Sequence, residues 1–140
     1  MTWAQQETQK TVYDLLANDD ELIELIGENK VFDFTPDNTP YPFITIFQSA
    51  DTWADRGSHT TEGWDARLQI NVWYRGPGRG KKEVQNIQAR IDQILHKQDI
   101  CVEGWNIIAF RRQTATILTE PDNVTLHGVQ IYKLLLGEVF

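Results

Sequence analysis

The residues whose types and spacing come nearest to chemistry in this chain are RGPGRGKK, positions 75–82. A strand-like run ends at Tyr74, glycines follow, and a lysine pair opens a helical pattern. Strand, glycine-rich turn, lysine and helix is the order of a phosphate-binding loop, in which backbone amides and a lysine cradle the anion. The spacing argues otherwise. A Walker loop needs four residues between its glycines and a Ser or Thr after the lysine; here three residues separate Gly76 from Gly80, and Lys81 is followed by Lys82. The dinucleotide fingerprint also fails, because Gly78-x-Gly80 has no third glycine and no acidic strand end about twenty residues on. What remains is a flexible turn carrying Arg75, Arg79, Lys81 and Lys82, able to meet a phosphate or carboxylate from a partner.

Other chemistry is sparse. His59, His96 and His127 fall on a loop, a helix end and a strand, a spacing that matches no metal-ligand pattern. Neither Ser49 nor Ser58 sits in a nucleophile elbow. Asp19, Asp20, Glu21 and Glu24 crowd a helix start, where capping and the helix dipole account for them. Cys101, the single cysteine, excludes an internal disulfide framework and reads as a small hydrophobe in or beside a strand. No catalytic residue, metal ligand or cofactor motif is assigned. The tryptophans stand out more. Trp64 belongs to an apolar strand face, Trp73 to the opposite polar one and Trp53 to a long loop; exposed large aromatics mark protein contact. Arg67, Gln69, Asn71 and Trp73, with Arg111 and Gln113, form a wide polar sheet face that is either solvated or an interface.

The elements that must position these residues are legible from periodicity. Residues 2–17 read as a helix with sparse apolar positions, and NDDELIELIG as a second, capped by Asn18 or Asp19 and stopped at Gly27. VFDF (31–34) is a short strand, TPDNTPYP a proline-punctuated loop and FITIFQ (43–48) a strand. Residues 51–63 have loop composition. From Trp64 to Arg75 apolar and polar residues alternate, the pattern of a long strand with one buried face. Val84, Ile87, Ile91, Ile94 and Leu95 then recur at helical spacing. ICVEGW allows a brief strand and a turn at Glu103-Gly104; residues 105–119 and 124–139 form a strand pair about the turn PDN. The order α-α-β-β-β-α-β-β predicts one α+β domain over 1–140: a mainly antiparallel sheet of four to five strands, with helices on one face.

Charge is unevenly placed. Of 20 acids and 13 bases, residues 1–40 hold nine and two, leaving eleven of each in residues 41–140. The net charge of −7 thus originates at the N-terminal end, and a dedicated nucleic-acid binder is expected to be basic. The N-terminus, MTWAQQETQK, lacks the apolar core of a signal peptide, and no apolar run reaches the roughly 18 residues of a membrane span.

Taken in order, the landmarks LLANDDELIELIG, VFDF, TPYPFITI, GWDARLQINVWYR, KKEVQNIQARIDQIL and TEPDNVTLHGVQIYKLLL resemble the tail-completion or tail-terminator proteins of long-tailed phages and prophages, from about residue 11 to 136. GPGRG makes the turn longer and more basic than that family leads one to expect. The resemblance implies a non-enzymatic structural virion protein without cofactors. It would assemble in the bacterial cytoplasm as a homo-oligomeric, hexameric ring at the head-proximal end of the tail. Its partners would be the tail tube protein and a head–neck connector, with non-specific contact to passing DNA and none to membrane. Asp19, Asp20, Glu21 and Glu24 would form an acidic inter-subunit edge, and Arg67, Trp53, Trp73, Arg75, Arg79, Lys81 and Lys82 the protein or DNA contacts. A capsid-side connector or adaptor with the same fold is the alternative, and a nucleotide-binding factor using residues 75–84 the more distant one.

Overall fold

The computed structural model describes residues 4–53, 63–76, 80–96 and 102–138. Its elements are helices α1 (Ala4–Ala17), α2 (Asp20–Ile26) and α3 (Lys81–His96), and strands β1 (Val31–Phe32), β2 (Phe43–Trp53), β3 (Gly63–Tyr74), β4 (Trp105–Thr119) and β5 (Leu126–Glu138). The strands form one sheet in the order β1-β2-β3-β5-β4. Among the described strands, only the β1–β2 pair is parallel. The architecture is the expected α+β sheet with helices on one face.

The alternation in β3 decides which face is covered. Trp64, Ala66, Leu68, Ile70 and Val72 are buried on the helix side. Their β5 partners are Leu136, Leu134, Tyr132, Gln130 and Gly128. Val84, Ile87, Ile91, Ile94 and Leu95 of α3 seal this face, joined by Val12 and Leu16 of α1 and Leu22 and Ile26 of α2. Each such side chain contributes roughly 1.5–3 kcal/mol through removal from water. Close approach of α3 to β5 depends on Gly128: a Cβ there would lie 2.7 Å from Gln88 Nε2 and 2.8 Å from Val84 Cγ1. A second apolar cluster of Trp64, Ala66, Val102, Trp105, Leu134 and Leu136 closes the far end.

A chain of hydrogen bonds runs through Asp92, Tyr132, Gln130 and Gln88 inside this seam. The Tyr132 hydroxyl donates to Asp92 at 3.0 Å, and Gln130 Nε2 donates to Gln88 O and to Tyr132 Oη. Arg112 Nη1 closes the far side of Asp92 at 2.7 Å. Burial, and then the adjacent Asp92 carboxylate, raise the Tyr132 hydroxyl far above the usual phenol range.

Three expectations change. β2 runs through Asp51, Thr52 and Trp53, pairing Trp53 with Gly63, so these residues are strand rather than loop. The cause is cooperative: β3 offers a ladder of equal length, and sheet pairing overrides local composition. Asp33 and Phe34 fall outside β1, and Val102 lies in no strand, though the turn at Glu103-Gly104 is present with Gly104 at φ 85°. Trp3, Ser58, His59, Arg79 and Cys101, and most of the expected 51–63 loop, lie outside the described residues.

Candidate assembly surface

The basic turn is fastened at its first residue. Arg75 Nε and Nη2 donate to Thr125 Oγ1 at 3.1 and 2.8 Å, and Nη2 reaches Asp122 at 3.0 Å. The guanidinium also lies 4.8 Å from the centroid of Tyr41. Asp122 is an organiser in its own right. Its carboxylate accepts from the backbone N–H groups of Thr125 and Val124 and from the Thr125 hydroxyl, which hold it far below the usual carboxylate range. Arg75 is therefore a clasp on the β4–β5 connection rather than a free contact. Lys81 and Lys82 occupy the first turn of α3 and are exposed. The turn glycines make room for a neighbouring side chain. A Cβ on Gly76 would lie 2.7 Å from Tyr74 Oη, and one on Gly80 would run into the edge of the same ring. The ring, rather than a phosphate, explains two of the three glycines.

The acidic cluster divides as well. Asp19 caps α2, accepting from Leu22 N–H at 2.9 Å, and is held by Arg90 Nη2 at 2.6 Å. The Arg90 hydrogen bonds, more than any other influence, keep its carboxyl below the ordinary value. Glu21 reaches Arg90 at 3.3 Å but is largely exposed; Asp20 and Glu24 are exposed. Only Asp20, Glu21 and Glu24 remain as an outward edge; Asp19 is a structural cap.

The sheet face that carries no helix among the described residues is the third part. Trp73 lies flat against His127, centroids 3.8 Å apart and planes 12° apart, and stacks on Phe43 at 6.4 Å. Its indole N–H donates to Thr45 Oγ1 at 3.0 Å. Trp73 is thus half-buried among ring neighbours instead of standing free on a polar face. His127 Nε2 lies 2.8 Å from Asn71 Oδ1, and Nδ1 lies 3.0 Å from Glu120. This group borders a cleft lined also by Asp33, Phe34, Phe47 and Gln69. Further along the face, Arg67 is bridged by Asp65 at 2.6 Å. Register places Lys133 opposite Arg67, and Arg111 opposite Lys133. Sequence reading missed the Trp73–His127 stack, the Asp122 organiser and the cation row completed by Lys133. Only the first had a visible signal, an aromatic on a polar strand face.

Fold and surface together define a small α+β domain whose sheet is clothed by helices on one side and, among the described residues, carries no helix on the other. Residues 10–136 match the family model described as Tail completion protein gp17, and the chain belongs to that family. It is 28% identical over 131 residues to the tail completion protein gp17 of Bacillus phage SPP1, with 92% of each sequence covered. The solved structure of bacteriophage SPP1 gp17 aligns with a TM-score of 0.59 at 22% identity, over 99% of this chain and 94% of that one. A chain in the virion of a native gene transfer agent particle aligns with a TM-score of 0.83 at 15% identity, over 98% and 99%. At those identities the two structures speak for the fold, which they share along its whole length.

Proposed function

We propose that this tail completion protein closes the head-proximal end of the tail tube as a hexameric ring and offers there the surface to which the head is joined. It acts by shape and contact, with no reaction and no cofactor. Membership of the tail completion family over residues 10–136 carries the reading. The open sheet face supports it, since a ring subunit needs two different contact patches that close by rotation. The tube protein and a head–neck connector are its partners, and the virion its final location. Deleting its gene in the producing host and imaging the particles tests this. Filled heads and unjoined tails of uneven length, restored by the full-length chain, are the expected result. Normally joined particles without it would overturn the proposal.

A further inference from the structure

We infer that the helix-free sheet face, around Arg67, Lys133 and Arg111, is the seat for α2 of a second copy of this chain. The inference rests on the ring reading above. Three cations stand side by side on adjacent strands β3, β5 and β4. Like charges directly opposite each other destabilise a sheet. Asp65 offsets Arg67, but neither Lys133 nor Arg111 has an ion pair among the described residues. Apolar side chains flank the row: Ile131 and Leu135 are half-buried and Phe47 is 60% exposed. The row therefore calls for an occupant that is both acidic and apolar.

α2 presents that combination. Leu22 and Ile26 are buried against the rest of the subunit, leaving Asp20, Glu21 and Glu24 exposed beside Leu25, itself 41% exposed. Glu21 and Glu24 are about 4.5 Å apart along the helix axis, close to the ~4.8 Å between neighbouring strands. A helix laid across the strands sets successive acids over successive cations and Leu25 over the apolar flank. Both patches belong to every copy and lie on different sides of it, so the contact is head-to-tail, the kind that builds a ring when its rotation closes. DNA is the less suitable occupant, because phosphate contact makes no use of the exposed apolar flank.

Cross-linking in assembled particles tests the contact. Full-length chain carrying Lys133→Cys and Glu24→Cys, in a Cys101→Ser background, should give a covalent ladder on mild oxidation that neither single cysteine gives. Particles that incorporate the variant yet show no ladder would overturn the contact while leaving the ring standing. Wild-type particles lacking the protein at tail ends would overturn the ring itself, and the contact with it. As a second arm, Lys133→Glu with Arg111→Glu should reduce joined particles about tenfold or more, and adding Glu21→Lys with Glu24→Lys should restore them. Loss of packaged DNA from otherwise joined particles, or absence of restoration, would sink the proposal.

Discussion

Arg90 grips Asp19 across 71 residues of sequence, with Nε and Nη2 donating to the two carboxylate oxygens at 2.8 and 2.6 Å. The same carboxylate caps α2 through Leu22. One acid therefore fixes both where α2 begins and how it sits on α3.

Asp19→Ala should lower stability by about 1–2 kcal/mol at neutral pH, the usual range for a lost cap. The pH dependence has a definite sign. Because the folded-state value is depressed, the stabilisation is complete above the unfolded value of about 3.9 and is lost as pH falls through the folded one. Urea titrations of wild type and Asp19→Ala from neutral to strongly acidic pH should converge. Parallel curves throughout would show that the carboxylate charge is not what matters.

Tyr132→Phe should destabilise by about 1–2 kcal/mol, since it strips Asp92 and Gln130 of a buried partner. Burial and Asp92 raise the folded-state value, so this stability is intact below about pH 10 and falls away as pH climbs towards the folded value. A difference absorbance titration, wild type minus Tyr132→Phe, should show no tyrosinate signal until alkaline unfolding. A signal at ordinary phenol pH in folded protein would contradict the burial argument.

Gly128→Ala should cost about 1–3 kcal/mol by driving a methyl group into Gln88 and Val84. Thermal melts measure this directly. A midpoint equal to wild type would mean that α3 shifts freely on β5.

Reversing the turn cations separates contact from fold. Lys81→Glu with Lys82→Glu places acids in the first turn of α3, where the helix dipole favours them. Melting should be unchanged or slightly raised. Fewer joined particles would then reflect a lost contact, including with Arg79→Glu added, whereas normal yield would leave the turn a connector only.

Local patterns carried most of the fold. The alternation in Trp64–Arg75 and the helical spacing of Val84 to Leu95 are properties of contiguous residues, so each declared its element and its buried face. Strand status for Asp51–Trp53 did not show, because it comes from pairing with β3. The site was less legible for the same reason. Asp19 finds Arg90, Trp73 finds His127, and Lys133 joins Arg67 and Arg111 only once register has aligned distant segments. Cation counting along residues 75–82 found charge but missed that Arg75 is already bound to Asp122 and Thr125.

The Tyr74 ring lies so close to Gly76 and Gly80 that the three positions form one steric unit. They cannot drift independently. Enlarging residue 80 alone forces the ring out, while trimming Tyr74 first leaves room for an alanine there. Gly80→Ala should accordingly be harmful in the wild-type background and mild beside Tyr74→Leu, a non-additivity of the kind residues in contact display. Among natural variants of this chain, glycine at positions 76 and 80 is expected to come and go with the size of the side chain at position 74, so its presence there is a record of that neighbour.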